Sequence, residues 1–299
     1  MAEEDDDPFA HTRMTLGEHL EELRKRIFRS VLVLAICFGI GWWQVEPIAG
    51  VLMGPWRLAV ERINTELVEK AEKTLAAHPE TPRTEFFTSE DPAKAELKDR
   101  IDTRLTTFAV GDSFFFALNI AIYFALFVGS PFVLWQLWQF VAAGLYRHEK
   151  TLVSLYFPFS VLLFLAGVSF CFFLVVPVGL YFLATTISLD KIRPMLGLGQ
   201  YFDFLSTMCL SMGLVFQLPI VMIFLSRIGI VDPRTYSKYR GHFLIVALFV
   251  AAILTPGPDW YSQVLMTIPM LVLYEIGALI ARFSAKPRRH GGARPGATR

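Results

Sequence analysis

FFFALNIAIYFALFVGSPFVLWQLWQFV, residues 114–141, runs without a single Asp, Glu, Lys or Arg. About 20 consecutive apolar residues are what a helix needs to cross the hydrocarbon core of a bilayer. A helix apolar all the way round has no face to offer water. Similar runs occupy residues 27–45, 152–186, 201–228, 242–254 and 260–283. The pattern predicts an all-α polytopic membrane protein with six transmembrane helices. The chain has 299 residues, 54% hydrophobic and 18% charged, with 27 Phe. A mean hydropathy of +0.46 makes lipid the solvent for most of it. A net charge of +1 gives no reason to expect nucleic acid as a partner.

Two runs have unusual lengths. Residues 242–254 would rise only about 20 Å as a helix, against a core of about 30 Å. Thr255-Pro256-Gly257-Pro258-Asp259 then forces a turn. The fifth and sixth helices are therefore expected to form a short hairpin that dips partway into the membrane. Residues 152–186 are too long to stand upright and should tilt or bend near Pro158 and Pro177.

Basic residues set the orientation. Arg13, Arg24, Lys25, Arg26 and Arg29 flank the first run, Arg147 and Lys150 the second loop, and Arg227, Arg234, Lys238 and Arg240 the fourth. Arg282, Lys286, Arg288, Arg289, Arg294 and Arg299 follow the last run, which places both termini in the cytoplasm. No small-residue cleavage site follows the first run, so it is expected to stay as a membrane helix. Residues 1–26 then form a cytoplasmic tail and amphipathic helix, opened by a capping box at Thr15-Leu16-Gly17-Glu18, with Leu16, Leu20, Leu23 and Ile27 on one face. Residues 285–299 form a basic disordered tail.

Residues 56–106 are the one sizeable extracytoplasmic insertion. Val60, Ile63, Leu67 and Leu75 predict a first helix, and Asp91-Pro92 the start of a second carrying Leu97, Ile101 and Leu105. Cys37, Cys171 and Cys209 all lie in or beside apolar runs and read as small buried hydrophobes.

The residues that invite a function are acidic. Glu22 lies in His19-Leu20-Glu21-Glu22-Leu23-Arg24-Lys25-Arg26, and Glu149 in Gly144-Leu145-Tyr146-Arg147-His148-Glu149-Lys150. A carboxylate on a rim that normally carries positive charge alone suggests a seat for a cationic guest. Plainer readings stand beside it. Glu22 as an i, i+4 partner of Arg26 is worth about 0.3–0.5 kcal/mol. Glu149 as a complement to a helix dipole is worth about 0.3–1 kcal/mol.

Within the lipid, Gln217 precedes Pro219 and Glu275 stands two turns before Arg282, while Asp112 and Asp259 mark extracytoplasmic ends. Gln217 can instead make a helix–helix hydrogen bond of about 0.6–2 kcal/mol. Glu275 can be an Arg-paired carboxylate. Catalysis and a bound cofactor are not expected: the histidines lie outside the apolar runs or at their edges, and no Gly-rich phosphate loop or HExxH occurs.

Several long motifs in order make the chain resemble the TatC family, the multispanning core of the twin-arginine protein translocase. They are the Glu22 run above, Gly54-Pro55, Ser130-Pro131-Phe132, and the stretch Gln136-Leu137-Trp138-Gln139-Phe140 leading to Glu149. Leu254-Thr255-Pro256-Gly257-Pro258-Asp259, Ile268-Pro269-Met270 and Glu275-Ile276-Gly277 follow. The resemblance implies a concave, cup-shaped bundle in a bacterial inner membrane. It implies that Glu22 and Glu149 bind the paired arginines of a signal peptide carried by a folded cargo protein, with Arg24 in the same motif and Trp135, Trp138 and Phe140 shielding the site.

The resemblance further implies single-span partners of the TatA and TatB type docking along helices five and six; Gln217 in the fourth run, Glu275 in the sixth, Asp259 ahead of it and Pro55 after the first are the candidate docking or intramembrane polar residues. Self-association and use of the proton-motive force come with it. Family members often carry Glu where this chain has Gln217, and Gly257 and the long first loop depart from the usual pattern. A secondary transporter of a small solute and a passive membrane scaffold are the rival readings.

Overall fold

The computed structural model describes residues 16–89, 91, 96–98, 101–102, 105, 111–145, 150–185, 197–255 and 260–284. Glu149, Asp259 and the 285–299 tail lie outside them. The first apolar run is α1 (Leu16–Trp43), followed by α2 (Val45–Leu52) and α3 (Gly54–Ala77). The second is α4 (Asp112–Ala143). The third is α5 (Lys150–Phe170), a π turn (Cys171–Val175) and α6 (Val176–Thr185). The fourth is α7 (Leu198–Val215) and α8 (Leu218–Arg227), and α9 (Pro233–Lys238), α10 (Arg240–Leu254) and α11 (Trp260–Ser284) complete the chain.

Prolines account for both interruptions. Pro177 has no N–H for the carbonyl four residues back, and its ring would strike that carbonyl. The wider π turn immediately before it makes the room. α5 runs through Pro158 without a break. Pro219 sits in the first turn of α8, where a missing N–H costs nothing, and the fourth run breaks just ahead of it at Phe216–Gln217.

Five of the six expected segments are long and apolar enough to cross a membrane. α10, with 15 residues, is not. The expectation of two short final helices is corrected: α11 has 25 residues and carries Pro269 inside it, so only α10 falls short of a full span. The two pack side by side.

The insertion also differs from its expected form. α3 forms, but Phe87 and Leu97 face each other in an isolated antiparallel bridge, with Thr88 donating to the Glu96 carbonyl at 2.8 Å and Lys98 to that of Phe86 at 2.9 Å. Leu97 is thus extended, not helical. The reason is local: Phe87 is buried and draws the bridge inward, while Asp91 takes part in a turn with Ser89. Asn64 on α3 clamps the returning chain, accepting from Ile101 N–H at 2.9 Å and donating to its carbonyl at 3.1 Å.

Glycines let the spans approach. An added Cβ at Gly129 on α4 would meet Leu34 of α1 at 2.8 Å, and one at Gly41 would meet Phe124 at 2.8 Å. α5 and α7 cross the same way through Gly167 and Gly213. The largest core cluster gathers Trp56, Tyr201, Phe202, Met208, Val175 and Met266. At its edge the Tyr201 hydroxyl donates to the Leu52 carbonyl at 2.6 Å, satisfying an orphan acceptor at the end of α2.

Candidate functional site

Water-soluble helices turn their apolar stripe inward, but α1 does the reverse at its start. Leu20, Ile27 and Phe28 are exposed, whereas His19, Glu22, Arg26 and Ser30 are the more buried positions toward α4. In lipid this is the stable arrangement, because the outer face meets acyl chains and polar groups need partners inside. Of the Leu stripe read from the sequence, Leu20 and Ile27 face outward and Leu23 is half-buried.

The inward polar residues form one chain of contacts. Arg26 Nε donates to Glu22 Oε1 at 2.7 Å, and its Nη2 pairs with the same oxygen. Its Nη1 donates to Gln136 Oε1 on α4 at 3.2 Å. All three guanidinium nitrogens are engaged, and the two side chains of the ion pair are only 19% and 21% exposed. Lys25 and Arg29 add positive potential at the same carboxylate. One turn earlier, His19 stacks on Phe140 with ring centroids 4.4 Å apart. The His19 ring also lies 3.6 Å from where a Gly144 Cβ would stand, so the chain leading towards Glu149 passes beside α1.

Of the residues expected here, Glu22 and Phe140 come together and Arg24 is exposed on the same turn of α1. Trp138 does not join them. It is 6% exposed and wedged between Tyr156 and Phe224, in a core cluster of α4, α5 and α8. Trp138 thus packs between helices, while Trp135 stays exposed beside Phe157. Gln136, not assigned from sequence, supplies the acceptor on α4. Its signal was an amide in an apolar run that also holds Asn119 and Gln139, on the turn preceding Phe140.

The other polar candidates resolve differently. Gln217 is engaged twice by Ser160 of α5: the Ser160 hydroxyl donates to its Oε1, and its Nε2 donates to the Ser160 carbonyl at 3.0 Å. The opposite amide orientation would set oxygen against carbonyl, so this one is fixed. The amide serves an internal helix–helix contact across the break before Pro219. Gln217→Leu is expected to destabilise the protein by about 0.6–2 kcal/mol, read as a lower unfolding midpoint in detergent. Glu275 pairs with Arg240 of α10 at 2.8 Å, both about half exposed, while Arg282 bonds the Ser237 hydroxyl. Pro55 is fully buried in the first turn of α3, a packing position with no surface for a partner.

A cavity of about 420 Å³ lies between α2, α4, the third span and α7, lined by Phe124, Phe127, Phe164, Phe172, Phe202 and their neighbours. Its wall is largely apolar, with Tyr123 and Ser169 beside Ser206, whose hydroxyl is turned to its own helix carbonyl.

A family model described as Sec-independent protein translocase protein (TatC) matches residues 18–269. The Sec-independent protein translocase protein TatC of Carboxydothermus hydrogenoformans is 34% identical over 281 residues, covering 94% of this chain and 98% of its own length. TatCy of Bacillus subtilis is 30% identical over 281 residues, covering 94% of each. The crystal structure of the twin arginine translocase receptor TatC superposes with a TM-score of 0.66 at 27% identity, covering 89% of this chain and 99% of that one.

Proposed function

The chain belongs to the TatC family of Sec-independent protein translocase proteins, and on that footing we propose that it is the receptor for the paired arginines of a signal peptide, seated at Glu22 and Glu149. As a member it is a multi-pass membrane subunit of the twin-arginine translocase, a transport protein and not an enzyme. The observation that carries the finer reading is the Glu22 carboxylate already holding a guanidinium, in a spot less than a quarter exposed. A site that takes an arginine from its own helix has the charge and shape to take one from a guest.

Two fully exposed ion pairs would contribute only about 0–2 kcal/mol together, too little to select a cargo. Shielding at the α1–α4 contact and the apolar stretch of the signal peptide supply the rest. The subunit lies in the bacterial inner membrane with both ends cytoplasmic and six segments in a concave cup. TatA- and TatB-type single-span proteins dock along α10 and α11, copies self-associate, and the proton-motive force drives transport. Each elementary charge moved across 100 mV releases about 2.3 kcal/mol for that work. The thinness of α10 suits this role, since a locally thinned bilayer eases passage of a folded cargo.

The test is site-specific photo-cross-linking of a twin-arginine signal peptide to membranes carrying the chain and its partners. Cross-links are expected to the wild type and to vanish when the peptide's arginines become lysines. Equal cross-linking of both peptides would sink the reading.

A further inference from the structure

We infer that Arg26 is a built-in competitor: it occupies the guanidinium seat on Glu22 in the empty receptor, and a guest arginine must displace it to bind. This rests on the reading of Glu22 as a guest seat and goes beyond it, because it assigns a residue that sets how strong a guest must be. An ordinary i, i+4 pair on a helix surface needs no third party. Here the third nitrogen of Arg26 is fixed by Gln136, whose side chain is buried on the neighbouring helix. The guanidinium is therefore held in place at Glu22 and is not one rotamer among many.

The exchange conserves charge. The guest guanidinium arrives at Glu22, and Arg26 leaves it while keeping Gln136 as an acceptor. Occupancy of the seat scales the apparent affinity of every guest by the fraction of receptors in which Glu22 is open. The scaling is the same for an arginine guest and a lysine guest, so the ratio between them is unchanged while both absolute affinities fall. A guest that grips Glu22 through one ammonium drops below useful affinity first, because an ammonium lacks the planar fork. Arg26 thus acts as a threshold raised against weak cations.

The decisive measurement is equilibrium binding of two fluorescent peptides to the full-length protein in detergent. One carries Arg-Arg before an apolar stretch and the other Lys-Lys. Arg26→Lys keeps the charge but weakens the fork, and is expected to tighten both peptides by about three- to tenfold with their ratio unchanged. Arg26→Gln should tighten them at least as much. Lys25→Gln, which removes a neighbouring charge, should change them less than about twofold. Binding to Arg26→Lys that is equal to or weaker than wild type overturns the proposal, as does a changed ratio or an equal gain in Lys25→Gln. Those outcomes leave the guest seat standing if the wild type still prefers Arg-Arg. Loss of that preference in every variant removes the seat itself, and the competitor with it.

Discussion

Glu22→Lys is expected to abolish cross-linking of the twin-arginine signal peptide and stop export of its cargo, with folded protein remaining in the membrane. The substitution puts an ammonium among Arg24, Lys25, Arg26 and Arg29, so a seat for guanidinium becomes a source of repulsion. Removing one member of a shielded, hydrogen-bonded charge pair costs about 2–5 kcal/mol, and 2 kcal/mol is already roughly thirtyfold in affinity. Reversal exceeds removal, because two like charges at about 4 Å repel instead of being neutral. The fold should survive, since α1 is held to α4 further along by Gly41 and Gly129. Glu22→Gln should fall between, keeping an acceptor but no charge. The same comparison at Glu149 tests the second seat. Wild-type cross-linking in Glu22→Lys would show that the peptide docks elsewhere.

The membrane architecture was legible because span length and hydropathy act over whole segments. Pro177 marked its break, although which proline disrupts a helix depends on packing, as uninterrupted Pro158 shows. Direction was harder to read. Leu20 and Ile27 of the amphipathic stripe are exposed, since in lipid apolar surface gains nothing by turning inward. It was the polar residues that pointed to α4 and made the site. Trp138 was hard to place for a related reason: an aromatic near a membrane surface reads as interfacial, and its contacts with Tyr156 and Phe224 lie between helices. Asp91-Pro92 reads as a helix start, but Leu97 beyond it pairs with buried Phe87 instead. Gln136 gave no periodic signal at all. Its meaning came from Arg26, which is 110 residues away in sequence.

The largest structural effect is expected at Gly277, on the contact that binds the last span to the fourth. A Cβ there would stand 2.9 Å from Met222 Sδ and 2.9 Å from the Cα of Pro219. Met222 is flexible and can swing away. Pro219 cannot, because its Cα is backbone at the start of α8. Gly277→Leu must therefore push α11 off α8, and overpacking of this kind costs about 1–3 kcal/mol, occasionally more. The contacts that follow would part with it: Phe243 stacked on Tyr274 at 3.9 Å, the Tyr274 hydroxyl donating to the Tyr236 carbonyl at 2.7 Å, and Arg227 to that of Ser284 at 2.7 Å. Gly39→Leu is the control, since nothing lies within 4 Å of a Cβ at that position on α1. The unfolding midpoint in detergent should fall clearly for Gly277→Leu and stay near wild type for Gly39→Leu. If α11 also carries the partner-docking surface, Gly277→Leu should lose partner co-purification while signal-peptide binding at Glu22, on the far pair of helices, persists. Equal midpoints for the two variants would mean that α8 and α11 can separate at no cost, and that the last two helices are a loosely attached hairpin after all.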